Sequence, residues 1–526
     1  MIEDPIMFEV IKNALVSSAR EMSHALRRTA FSPNIKERRD CSCAIFDSSG
    51  RLVAQSEDIP VHLGAMPMSV KACINEIGNE LRENTMALLN DPYAGGSHLP
   101  DLTLVAPVHA DGELTSFVAN RAHHADVGGI SPGSMPGLAL SIEEEGVRIS
   151  PRIIVKEGKL VHNSISDLLD ATRTPVERLG DLSAQIAANT VGSLRLNQVA
   201  KKYGWSYVTR TYRDLQDYSA NRMMVVLKAY KNSKSEFTDY MDSDGAGSQE
   251  IPIHVSLEIG KDSAKVDFNN TGNQVAGNIN CPIASTLSSV YYVFISVFGK
   301  GIPINEGCWS VINAVVPNGS LLNPEYPAAV SAGNVETSQR IVDVLMGALS
   351  SLVPEIIPAA SQGTMNNLTI GGMDPRTGNA FSFYETIGGG EGAGKNTHGA
   401  SGIHTHMTNT LNTPIESLET EYPLRVHRYS LRTGSGGKGI WNGGDGIIRE
   451  IEILAEQCTI SLQSERRIRK PWGLKGGEPG LNGQNILLFQ GRKVILQSKS
   501  TIVAPQGAII RIETPGGGGF GEPLHI

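Results

Sequence analysis

The sequence predicts a mixed α/β fold of the α+β kind with more than one domain, and three observations carry that expectation. A long amphipathic helix opens the chain, a hairpin-bearing region follows, and after about Thr420 the pattern changes to short strands between glycine-rich turns. At 526 residues the chain has room for several domains of about 100–200 residues each. Soft shifts in composition divide it into a helical and hairpin-bearing region (1–250), a central α/β region (251–420) and a β-rich region (421–526).

Each element has a local reason. Asp4 followed by Pro5 is a capped helix start, and Ile11, Leu15, Met22 and Leu26 repeat at helical spacing behind it. NIKERRD (34–40) leads into CSCAIFDSSGRLVAQS, two short strands around a Ser-Gly turn, with Asp40 just before the first. A helix is expected over 68–81. Strands over 102–108 and 114–119 meet at Asp111-Gly112, a tight-turn pair. Glu143 to Glu145 read as a solvated acidic loop. Helix is expected over 175–230 with a break near Gly204, a strand pair over 250–269, and helices within 277–307 and 334–352. Strands over 447–454, 458–462, 486–489 and 509–512 complete the chain, and TPGGGGFGEP (514–523) reads as a flexible loop by composition.

Composition excludes several classes of function. A formal net charge of -8 argues against nucleic acid as a partner, because phosphate binding requires a positive surface. Six scattered cysteines without a CxxC look reduced, not disulfide-bonded. The N-terminus places acidic residues ahead of its apolar run and does not resemble a secretion signal. The longest apolar stretch, around Val290 to Phe298, falls short of the ~20 residues a membrane span needs. A soluble, cytoplasmic protein is expected.

Chemistry concentrates in residues 90–129, where His98 and Asp101 precede the hairpin and His123, His124 and Asp126 follow it. An antiparallel hairpin brings its two ends together, so His98, Asp101 and His123 can converge. With Asp40 they offer two imidazoles and two carboxylates. That mixed nitrogen and oxygen set suits Zn, Mn or Fe better than Ca or Mg, with acid/base catalysis as the competing reading. His124 and Asp126 are candidates to orient the ligands. Two glycine motifs are discounted. GGEGAGKN (389–396) resembles a phosphate loop but ends in Asn where Ser or Thr should ligate magnesium. Gly434, Gly436 and Gly439 satisfy GxGxxG, yet no helix opens there. No nucleotide site is expected on this chain. His398, His404 and His406 read as surface residues of a glycine-rich segment, with a place in a substrate loop as the lesser reading.

Longer stretches carry a resemblance. DPIMFEVIKNAL, ERRDCSCAIFD, NDPYAGGSHLPDLTLVAPV, ANRAHHADVGG, GNVETSQRI, YETIGGG and TPGGGGFGEP together resemble the hydantoinase B family over residues 4–524. The resemblance implies a metal-bearing subunit of an ATP-dependent cyclic amide hydrolase, opening a hydantoin, 5-oxoproline or a lactam. It implies one divalent metal ion, Zn or Mn foremost, held by Asp40, His98, Asp101 and His123. It further implies that ATP and Mg sit on a partner, a hydantoinase A-type subunit with an actin-like ATPase fold, in a hetero-oligomer. The alternative within the same resemblance is a subunit of an acetone- or acetophenone-type carboxylase.

Overall fold

The computed structural model describes residues 4–56 and 58–523. It is a mixed α/β, multi-domain architecture with four sheets and nine α-helices among the described residues. Helices α1 (Pro5–Thr29), α2 (Pro33–Lys36), α3 (His62–Ile77), α4 (Ser166–Ala171), α5 (Pro175–Tyr203) and α6 (Trp205–Leu227) lie in the first half. Helices α7 (Ile283–Phe298), α8 (Ser338–Leu349) and α9 (Ile415–Glu421) follow. No described helix is long and apolar enough to cross a membrane.

The first sheet holds β1 (Cys41–Asp47), β2 (Leu52–Gln55), β3 (Met86–Leu89), β4 (Asp101–Ala110), β5 (Glu113–His123), β6 (Arg152–Lys156) and β7 (Lys159–Leu160). Their order is β2-β1-β5-β4-β3-β6-β7. Asp111 and Gly112 both take positive φ, 51° and 83°, as the tight β4–β5 turn requires. One face of this sheet packs on α1, α5 and α6 through residues such as Ile11, Leu15, Met22 and Ala188. The other face joins α3, α7, α8 and the second sheet in the largest core, around Phe46, Val70, Phe294 and Leu345.

The second sheet contains β8 (Ser233–Ser243), β9 (Gln249–Ile259), β10 (Ala264–Asp267) and β11 (Ile312–Val315). Residue 250 lies inside the β8–β9 hairpin and residue 420 inside α9, so neither composition shift coincides with a break between elements. The β-rich end forms two sheets. One has the order β13-β12-β16-β19, from β12 (Asn367–Met373), β13 (Ala380–Glu385), β16 (Gln457–Gln463) and β19 (Lys499–Pro505). The other has the order β14-β15-β20-β17-β18, from β14 (Leu424–Arg432), β15 (Gly446–Ile453), β17 (Gln484–Phe489), β18 (Arg492–Leu496) and β20 (Ile509–Glu513). Leu368, Phe383, Ile451, Ile460 and Ile510 close one core between them.

Four local expectations are corrected. The helix expected over 68–81 begins at His62, ahead of Pro67. Ser288 Oγ on α7 accepts the N–H groups of Gly64 and Ala65 at 2.9 and 3.2 Å, satisfying donors that a helix start leaves unpaired. Glu145 of the acidic loop is fully buried, with its carboxylate on the N–H groups of Val330 and Ser331. Of the three histidines expected at the surface only His398 is exposed, while His404 and His406 are half-buried. Residues 514–521 are buried, not flexible. Gly516 to Gly519 thread between other glycine-rich segments, with Gly437 N–H donating to Gly517 O, Gly517 to Gly444 O and Gly519 to Glu478 O. Side chains are excluded from this bundle by contact, since a Cβ on any of these four glycines would come within 2.2 Å of a carbonyl oxygen.

Candidate metal centre

Three adjacent strands deliver the site. β5 lies between β1 and β4, with His123 opposite Asp101 and Ala122 opposite Cys41. Residues directly across an antiparallel pair project to the same face, so His123 and Asp101 meet there. Asp40 precedes β1 by one residue, and its carbonyl accepts the His123 N–H at 3.0 Å. His98 comes from the turn before β4, where its carbonyl accepts the Asp101 N–H at 3.1 Å.

The side chains form a compact triangle. His98 Nε2 lies 3.1 Å from Asp101 Oδ1 and 3.2 Å from His123 Nδ1, which is 3.2 Å from the same oxygen. A tetrahedral ion with bonds of about 2.0 Å needs donors about 3.3 Å apart, so this triangle fits one face of such an ion. All three residues are buried, and His123 Nε2 has no hydrogen-bond partner. They border a cavity of about 20 Å³ whose wall includes Asp40, His62, Tyr384 and Thr410. Asp40 faces this cavity without joining the triangle, its carboxylate 3.9 Å from the Arg38 guanidinium.

Electrostatics follow from burial and proximity. Burial alone would push the Asp101 carboxyl up, but the charge of His98 and bonds from His123, His62 and His98 hold it well below the usual range. Burial depresses His98, and Asp101 more than offsets it, leaving that imidazole raised. For His123 burial wins over the Asp101 bond, and its pKa is lowered. The result is one firmly ionised carboxylate beside two imidazoles, a charge that either a proton or a cation can balance.

Surrounding groups hold the triangle in place. Ser97 Oγ donates to Asp101 Oδ2 at 2.5 Å, and His62 Nε2 lies 3.5 Å from that oxygen with its Nδ1 2.8 Å from Ser42 Oγ. His98 Nδ1 faces the Ser331 carbonyl at 3.4 Å. The Tyr384 ring stacks on His123 with centroids 4.4 Å apart, and its hydroxyl donates to Asn367 Oδ1 at 2.9 Å. Behind Ser331, burial raises the Glu145 carboxyl to about 7. Glu336, within the π-helical turn Gly333–Thr337, accepts from Met365 N–H and Asn367 Nδ2 and is pushed to about 8 by burial.

The sequence candidates separate here. His98, Asp101 and His123 converge, and Asp40 shares their cavity. His124 turns to the other face of β5, as strand alternation requires, and its Nε2 meets Gln185 Oε1 of α5 at 2.9 Å. Burial, then the charge of Arg178, lowers it to about 4. Asp126 staples its own loop, accepting from Gly128, Gly133 and Arg173. Among the described residues neither is hydrogen-bonded to the triangle. Sequence reasoning missed His62, whose one local signal is a histidine opening an apolar helix in DIPVHLGAM.

Comparison with known proteins gives the lineage of this arrangement. The Hydantoinase B/oxoprolinase family profile matches residues 4–523. A 5-oxoprolinase of Dictyostelium discoideum is 41% identical over 99% of this chain, which spans only 40% of that protein's length. The solved ATP-dependent caprolactamase from Pseudomonas jessenii superposes with a TM-score of 0.92 at 28% identity, covering 99% of this chain and 92% of its own. An acetone carboxylase structure reaches 0.91 at 18% identity, covering 99% and 76%, a likeness of fold alone. With the match running from the first turn of α1 to the glycine bundle, the chain belongs to the hydantoinase B/oxoprolinase family.

Proposed function

We propose that this chain is the metal-bearing part of an ATP-dependent hydrolase of cyclic amides, opening a hydantoin, 5-oxoproline or lactam ring. The observation that carries the proposal is the buried triangle of His98, Asp101 and His123 with Asp40 on the same cavity. Its donor spacing and its N/N/O chemistry, through His98 Nε2, His123 Nδ1 and Asp101 Oδ1, suit one divalent ion, Zn or Mn. When bound, such an ion supplies Lewis acidity, lowering the pKa of a water and stabilising negative charge that develops on a carbonyl oxygen.

The chain's own residues prepare the place. Ser97 and His62 fix Asp101, Ser331 sets the tilt of His98, and Tyr384 holds the His123 ring by stacking. Burial keeps bulk water from the triangle. An unstrained amide carbonyl is a poor electrophile, and activation by ATP is assigned to a partner subunit of the hydantoinase A type, giving a hetero-oligomer. The caprolactamase likeness supports ATP dependence, and the missing phosphate-loop chemistry in this sequence agrees with ATP lying elsewhere. Six free, buried cysteines fit a reducing cytoplasm.

Metal analysis of the purified chain, followed by reconstitution with the ATPase subunit and a panel of hydantoins, 5-oxoproline, lactams and ketones, tests the proposal. Cyclic-amide-dependent ADP release is expected, together with loss of bound metal and activity in His98→Ala. Wild-type rates in that variant refute the metal role. ADP release that requires bicarbonate and a ketone instead identifies a carboxylase.

A further inference from the structure

The cavity at the triangle, about 20 Å³, has room for a water and none for a ring. One of its walls is a single residue thick. Within one short segment Met407, Thr408 and Thr410 border this cavity, while the intervening Asn409 and the next residue Leu411 border a second, outer cavity of about 300 Å³. Ile59 borders both. Asn409 Nδ2 donates to the Asp58 carbonyl at 2.8 Å, joining the two segments of the wall.

The outer cavity is cationic in a chain whose formal charge is -8. Arg20, His24 and Arg27 of α1 line it together with Arg39. An adjoining hollow of about 450 Å³ shares three of these and adds Arg28 and Lys36. Positions 20, 24, 27 and 28 form one stripe at helical spacing, opposite the buried side of α1 at Ile11, Leu15, Met22 and Leu26. Compensation of the helix dipole explains Arg27 and Arg28 in the last turn. It does not explain His24 a turn earlier, or Arg39 beyond the helix. Arg39 is exposed and takes φ 59°, an unusual backbone conformation for a non-glycine residue, one position before Asp40. The acidic neighbour Asp58 is already engaged, paired with Arg27 and accepting from Ser23 and Ser56. Glu37 lies in the outer hollow.

We propose that this groove is a vestibule of the metal cavity that binds a phosphoryl group, with His24 and Arg39 as its contacts. The identity of the natural ligand, a substrate phosphorylated at the expense of ATP, rests on the function proposed above. The binding site itself rests on the groove's charge and on its thin partition from the triangle.

Inorganic phosphate titrated into the purified full chain by calorimetry, at several salt concentrations, tests this without turnover. Saturable binding is expected, weakening as salt rises. Arg39→Gln should weaken it about tenfold, as loss of one charge-assisted hydrogen bond does, and Arg39→Lys should retain most of it. His24→Gln gives a second, independent reading. His98→Ala should bind phosphate as the wild type does, so a failure of the metal chemistry leaves the result readable. Equal affinity in the wild type, Arg39→Gln and His24→Gln overturns the proposal. So does loss of affinity in His98→Ala alone, which would put the anion on the triangle. Impaired assembly of Arg39→Gln with the ATPase subunit at unchanged phosphate affinity would make the groove a docking surface and overturn it equally.

Discussion

Gly517→Ala should cripple folding, although it adds one methyl group to a segment that reads as a loop. A Cβ at Gly517 would lie 2.0 Å from the Glu391 carbonyl oxygen and 2.3 Å from its carbon, both backbone atoms. Contacts below 3.0 Å are essentially never seen for Cβ, so one of the two segments must move by about 1 Å. That movement strains three hydrogen bonds, Gly444 N–H to Glu391 O, Gly517 N–H to Gly444 O and Gly437 N–H to Gly517 O, at 2.9, 2.9 and 2.8 Å. At about 1 kcal/mol each, with about 1–3 kcal/mol of overpacking strain, the cost is about 4 kcal/mol or more. That is a large share of a typical total of about 5–15 kcal/mol. The control is Gly507→Ala, where φ is 81° but no atom beyond the adjoining residues lies within 4 Å of the new methyl. There the backbone penalty alone, about 1–2 kcal/mol, should appear. Urea unfolding followed by circular dichroism measures both. A Gly517→Ala midpoint equal to that of Gly507→Ala would refute the packed-bundle reading.

Three further outcomes are expected. His62→Ala should loosen Asp101 and reduce metal affinity by about 10–100-fold, read by chelator competition, with unchanged affinity counting against His62 as a positioning residue. Glu385→Ala strands the buried Arg449 guanidinium, now paired at 2.9 and 3.1 Å, and should cost about 3–5 kcal/mol, checked by thermal melting against the wild type. Burial raises Glu145 from 4.5 to about 7, so the folded chain holds a proton that the unfolded chain releases. The stability this group contributes therefore falls as pH rises from about 4.5 through 7, by roughly 3 kcal/mol in all. Glu145→Gln should gain on the wild type by that amount between pH 4.5 and pH 8 in denaturant melts, and a pH-independent difference would refute the assignment.

How much of the site could be read from sequence depended on the range of the interaction involved. The β4–β5 hairpin was legible because Asp111-Gly112 supplies its own turn conformation, and from it the meeting of Asp101 and His123 follows. The buried side of α1 was legible from the spacing of four apolar residues. His62 was not, because the helix it opens is completed by Ser288, more than 200 residues away. Glu145 looked solvated because nothing near it in sequence reveals that the N–H groups of Val330 and Ser331 await it.

By itself the sequence determined the Asp4 cap of α1, the hairpin turn, the alternation of the strands and the concentration of imidazoles and carboxylates around that hairpin. These depend on residues within a few positions of one another. The tertiary structure alone decided that β1 lies beside β5, so that Asp40 reaches the rim of the triangle, and that His123 faces the cavity while His124 faces α5. It also decided that the last glycines thread a bundle instead of waving in solvent. Strand order and segment packing are set by the burial of surfaces hundreds of residues apart, and local propensity carries no record of them.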